Sequence, residues 1–112
     1  MAKRSSPPVL PSAPVDLLAV ASGSCEVILA WTECGVGGLG FRIERAVCAS
    51  PCSAFVEIGE VGPHVTAFRD GSVAPRTTYS FRVREWNASG HSLPSNEVEV
   101  TMPPADTEPP PL

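Results

Sequence analysis

The sequence predicts an all-β protein, folded as a two-sheet antiparallel sandwich, and three observations carry that prediction. Apolar and polar residues alternate with a period of two along several short stretches, the pattern of strands with one face in a core and one in water. Clusters of Gly, Pro, Asn, Asp and Ser punctuate the chain every 8–12 residues or roughly so. No segment free of Pro and Gly sustains a helical period over three turns. Pattern alone leaves another all-β arrangement, such as a small barrel, open.

The clearest strand lies between Pro75 and Gly90, where Tyr79, Phe81 and Val83 alternate with Ser80, Arg82 and Arg84. Taken in order, Val15 to Ala19 is the first strand, starting directly after Pro14, which suits a sheet edge. Ser22-Gly23-Ser24 turns the chain into Cys25 to Thr32, with Val27, Leu29 and Trp31 on one face. Residues 33–40 hold four glycines and are expected to form a loop. Phe41 to Ala46 alternates again with Phe41 and Ile43 inward, and Cys48-Ala49-Ser50-Pro51-Cys52 makes a tight connection. Phe55 to Val61 follows and closes on Gly62-Pro63. Val65 to Phe68 is a short strand before a turn at Asp70-Gly71, and Asn96 to Thr101 ends the series.

Composition bounds the function. At 112 residues the chain fits one domain with a single modest core. Its net charge is −4 and its basic residues are scattered, so no nucleic-acid partner is expected. No apolar run reaches the roughly 18–20 residues of a membrane span, and membrane insertion is not expected. The basic start Met1–Ser6 has no apolar core behind it and does not read as a signal peptide; a piece of a longer protein is expected. Nine of the thirteen prolines crowd the two ends, which predicts stiff, extended linkers over residues 1–11 and 103–112 around a domain at 12–102. The neighbours implied by such linkers are other domains of the same chain, and a monomer is expected.

The residues then become specific. Pro14 precedes the first strand, and Val27-Ile28-Leu29-Ala30-Trp31 carries an inward Trp. Phe41-Arg42-Ile43-Glu44-Arg45 follows, then Asp70-Gly71-Ser72-Val73-Ala74-Pro75-Arg76-Thr77-Thr78-Tyr79-Ser80-Phe81-Arg82-Val83, and finally Asn87-Ala88-Ser89-Gly90-His91-Ser92 and Pro94-Ser95-Asn96. In that order and spacing the chain resembles a fibronectin type III domain across about four-fifths of its length. The resemblance implies a seven-stranded, immunoglobulin-like sandwich with Trp31, Tyr79, Phe81 and Val83 in its core. It implies a tyrosine corner at Tyr79, with the hydroxyl bonded to backbone in the preceding loop. Val73 stands where the family usually has Leu. Glu85 stands at an inward position where Ala is common; because charge is seldom buried unpaired, either it lies at the solvent end of the sheet, which is the expectation, or the strand bulges there. The chain has no Arg-Gly-Asp and no Trp-Ser-x-Trp-Ser.

Little in the sequence supports chemistry. The four cysteines allow three full pairings. Cys25 and Cys34 bracket an extended strand of about 30 Å, whereas a disulfide needs Cα atoms within about 7 Å; Cys34 and Cys48 fail for the same reason. Cys48 and Cys52 share one short connection and are expected to pair, which places the protein in an oxidising compartment, extracellular or at the cell surface. Cys25 shares the inward parity of Val27 and is expected to be buried, or to reach the Cys48/Cys52 connection; Cys34 is expected to be exposed and unpaired. No metal, cofactor or catalytic residue is expected, since His64 and His91 stand in loops without a partner motif.

Two surfaces are candidates for binding. Arg82, Arg84 and Trp86 share the outward parity of one strand, a row suited to cation–π stacking and to sugar or protein contact, unless the arginine stems cover the Trp, which is the first expectation. The loops 33–40 and 88–94 should project from one end, where the family uses loops for recognition. Asn87-Ala88-Ser89 is also a glycosylation sequon. The expected function is a non-catalytic spacer or interaction module of a secreted or surface protein, such as a polysaccharide-degrading enzyme. Alternatives are an adhesion or receptor module with a protein partner, or a carbohydrate-binding module using Trp86.

Overall fold

The structure, a computed structural model, describes residues 9–35 and 37–105. Pro7, Pro8 and Pro109 to Pro111 of the expected linkers lie outside these residues. The chain forms eight strands: β1 Val15–Ala21, β2 Val27–Thr32, β3 Gly40–Val47, β4 Val56–Val61, β5 Ala67–Asp70, β6 Thr78–Asn87, β7 Gly90–His91 and β8 Val98–Thr101. They make two antiparallel sheets, one of three strands ordered β1-β2-β5 and one of five. In the second, β3 lies between β4 and β6, while β7 and β8 both pair with the far edge of β6.

The count of eight differs from the expected seven because the last strand is split. β7 meets the end of β6 at Trp86 and Asn87, and β8 meets its start from Thr78 to Phe81. Between them the chain leaves the ladder at Pro94, which has no N–H to donate. Two serines repair the gap. The Ser92 and Ser95 hydroxyls accept the N–H groups of Glu85 (3.0 Å) and Val83 (2.9 Å), and their own N–H groups donate back to the carbonyls of Glu85 and Val83. Both serines are buried, so each bond satisfies a backbone group that water cannot reach.

The core lies between the sheets. Leu17, Val27, Leu29 and Trp31 face Phe41, Ile43, Phe81 and Val83, all buried. Trp31 meets the Phe41 ring edge-on with centroids 5.5 Å apart. Asn96 closes one seam: its side chain accepts the Leu17 N–H (2.9 Å) and donates to the Leu17 carbonyl (3.1 Å), so an amide serves β1 where a neighbouring strand is missing.

At the other end of β6, the Tyr79 hydroxyl accepts the Ala74 N–H at 2.8 Å, with Val73 buried in the loop between them. That loop is pinned by Asp70, which is buried; it accepts bonds from the Ser72 N–H (3.0 Å), the Ser72 hydroxyl (2.6 Å) and Arg45 (2.7 Å). The Arg45 guanidinium in turn lies 4.9 Å from the Tyr79 ring centroid.

Three expectations need correction. The fifth strand runs over Ala67–Asp70 rather than from Val65, because Val65 N–H bonds the Gly62 carbonyl and His64 has a φ of 65°, which makes 62–65 a turn. Cys25 is exposed, not buried: the last rung of the β1–β2 ladder is Ala21 with Val27, so Cys25 falls in the turn and strand parity does not reach it. Glu85 is 1 % exposed and is not at the solvent end of its sheet. Residues Gly35 and Gly38 of the glycine-rich turn cover it, so closely at Gly38 that a Cβ there would run into the carboxylate.

Candidate functional site

The outward face of β3 and β6 is built by register. Arg42 stands opposite Arg84, and Glu44 opposite Arg82, while across the other edge of β3 Arg42 faces Glu60 and Glu44 faces Glu57. Like charges opposite each other would repel, and carboxylates relieve this. Glu44 accepts bonds from both Arg82 and Arg84, the latter at 3.1 Å. Burial opposes charge on Glu44, but these bonds and the two guanidinium charges outweigh it and hold its carboxyl below the usual range. Arg42 pairs with Glu60 at 3.0 Å and Glu57 at 3.8 Å, and its Nη1 donates to His91 Nε2 at 2.8 Å. Arg42, Glu44, Glu57, Arg84 and His91 thereby line one open, polar hollow.

The row Arg82–Arg84–Trp86 is half-buried on this face, yet its members do not stack on one another. Arg82 lies over the Phe55 ring at 4.1 Å, and Arg84 donates to the Ser92 carbonyl at 3.1 Å. The cation over Trp86 is Arg42 of β3, 4.9 Å from the ring centroid. One Trp86 face is therefore already covered, and its buried Nε1 has no hydrogen-bond partner among the described residues.

Loops 33–40 and 88–94 meet at the same end of β6. The Leu39 N–H bonds the Trp86 carbonyl, Gly90 pairs with Asn87, and the Leu10 side chain lies against Gly90. Leu39 and Leu93 are exposed there. Asn87 is engaged at both ends of its amide: Nδ2, the atom a glycan would take, donates to the Val9 carbonyl at 2.9 Å, and Oδ1 accepts the Ser89 N–H at 2.8 Å.

Cys48 and Cys52 are joined as a disulfide, and Cys34 is free and exposed. A Glu99 oxygen lies within 4.8 Å of both sulfurs, but a disulfide has no thiolate to give a metal. His64 Nδ1 is 3.0 Å from Glu33 Oε1, at the other edge of the glycine-rich turn. Ser92, Ser95, Asn96 and the Asp70–Arg45 pair carry structural duties that sequence reasoning missed. Asp70-x-Ser72 was the one with a readable signal, since Asp accepting a bond two residues on is a common turn device.

No family model and no curated protein matches the chain. Solved structures do. The fibronectin type III domain of human fibronectin type III domain containing protein 3 is 24% identical, with a TM-score of 0.73 over 93% of this chain and 96% of that one. The third fibronectin III domain of the human KIAA0343 protein has a TM-score of 0.78 at 17% identity, over 99% and 98%. A multi-domain segment of titin is 23% identical with a TM-score of 0.72; it matches 84% of this chain, which spans only 32% of the titin segment. Two antiparallel sheets, the strand order and these likenesses together give the chain the fibronectin type III fold.

Proposed function

We propose that the chain is a non-catalytic spacer and interaction module of a secreted or cell-surface multi-domain protein. The observation that carries this reading is the direction of the chain through the sandwich. Val15 pairs with Thr32, beside the loop that reaches Trp86, whereas Thr101 pairs with Thr78 at the opposite end of β6. The polypeptide enters at one end and leaves at the other, displaced along β6 by about 25 Å at roughly 3.3 Å per residue. Domains joined to the two ends are held apart in line, as a spacer requires. The covalently closed Cys48–Cys52 connection supports an oxidising compartment. Exposed Leu39 and Leu93 at the entry end are the residues a preceding domain or a protein partner would touch.

The sugar-binding alternative is disfavoured by Arg42 over the Trp86 ring. On a glycan array the isolated chain is expected to retain no glycan, and Trp86→Ala to change stability without changing that result. Glycan binding by the native chain that disappears in Trp86→Ala would overturn the spacer reading.

A further inference from the structure

Among the described residues, Glu85 is a buried carboxylate that the fold leaves unsatisfied. Its backbone sits opposite Phe41, one rung from the end of the β3–β6 ladder, where strand parity turns the side chain inward. Both carboxylate oxygens are buried without a hydrogen-bond partner among the described residues. Gly38 lies directly on the carboxylate, and a methyl group at Gly35 would stand 3.6 Å from Oε1. Around it, Phe41 of β3 stands opposite, Ser12 of the stretch before β1 lies against Gly35, and Ser92 uses its hydroxyl on the Glu85 N–H. The titratable groups that face it are Glu33, from the turn after β2, and His64, from the turn between β4 and β5, itself bonded to Glu33.

A buried, unpaired carboxylate beside a second carboxylate needs a counter-charge or a proton. Gly35 and Gly38 press on Glu85 so closely that a metal ion with its six to eight oxygen ligands has no room beside it. A proton has. Once protonated, Glu85 gains the donor it lacks, and the Glu33 carboxylate is the acceptor within its reach.

We infer that Glu85 and Glu33 form a proton-sensing carboxyl pair: with the proton, Glu85 donates to Glu33 and ties Gly35 and Gly38 to the end of β6, and without it the two carboxylates repel and that contact loosens. Burial, then the bond that only the protonated form can give Glu33 and the charge of Glu33, push the Glu85 carboxyl up to about 7, with His64 pulling in the opposite direction. The sign follows. A carboxyl raised in the folded state keeps its proton after the unfolded chain has lost it, so the contact is strongest in acid and weakens as pH rises towards 7. The glycines concerned lie at the end where the chain enters the domain, so neighbour contacts there would respond to mild acidification.

The test is an NMR titration of the 112-residue chain from pH 4 to 9, following the Glu85 carboxyl carbon and the Gly35 and Gly38 amides. The expected result is a Glu85 midpoint near 7, with both glycine amides shifting at that midpoint. Their exchange, corrected for intrinsic base catalysis, should be about tenfold faster above the midpoint than below it. Glu85→Gln should abolish the transition, because its amide donates to Glu33 at every pH. Glu33→Gln, which leaves Glu85 in place, should lower the Glu85 midpoint. A Glu85 midpoint near that of an ordinary carboxyl, or glycine amides that ignore it, would overturn the inference. So would a Glu85 signal that moves on adding calcium chloride at constant pH, since a cation would then be the occupant.

Discussion

Phe81→Ala should lower the unfolding free energy by about 3–5 kcal/mol, measured by urea denaturation. Phe81 is fully buried on β6, the strand that pairs with β3 on one edge and with β7 and β8 on the other. It faces Arg45 on β3 and Val98 on β8 in the ladder, and its ring lies 6.3 Å from that of Tyr79. Most of its core neighbours are held by strand register, which limits how far they can move to refill the space. With a typical domain stability of roughly 5–15 kcal/mol, that loss is a large fraction of the whole. A change below about 1 kcal/mol would mean that the two sheets do not share the core described.

Asp70→Ala should cost about 3 kcal/mol, although it removes only a short polar side chain. Asp70 is buried and anchors three donors: the Ser72 N–H, the Ser72 hydroxyl and Arg45. Removing it leaves Arg45, mostly buried against Tyr79, without its carboxylate. The substitution should also change the pH profile. Burial opposes charge on Asp70, but the Ser72 bonds and Arg45 outweigh it and hold its carboxyl below the usual range. A depressed folded-state pKa contributes stability that is present above the unfolded value and lost as pH falls. Glu44 acts in the same sense and Glu85 in the opposite one. Stability is therefore expected to peak in mildly acidic solution, falling on the acid side through Asp70 and Glu44 and on the other side through Glu85. Asp70→Ala should flatten the acid limb and leave the upper limb intact.

The fold was legible because it rests on period-two alternation and turn chemistry, both local. Tyr79, Phe81 and Val83 alternate with polar residues, and the same alternation in the structure sends them inward. Registers were less legible. Gly62-Pro63 signalled a turn, but not its extent: Val65 is drawn into it by its bond to the Gly62 carbonyl and by a positive φ at His64, which no residue type there demands. Cys25 was misplaced for a related reason: parity was extended beyond the last rung of the ladder. Glu85 shows the deeper limit. Its inward parity was readable, but its burial is decided by a turn some fifty residues earlier in the chain, where Gly35 and Gly38 fold over it. The outward face of β3 and β6 shows the same limit, since the row on β6 was visible while its partners Phe55, Glu44 and Arg42 come from neighbouring segments.

A spacer must fold as one self-contained sandwich, able to hold two neighbours apart without help from either. Equilibrium urea unfolding of the 112-residue chain, followed by tryptophan fluorescence and far-UV circular dichroism on the same samples, tests it directly. Trp31 reports the shared core and Trp86 the far end of β6, while dichroism reports both sheets. The expected result is a single transition in which the two signals coincide. Fluorescence lost at clearly lower urea than dichroism, or a chain already unfolded in the absence of urea, would contradict it.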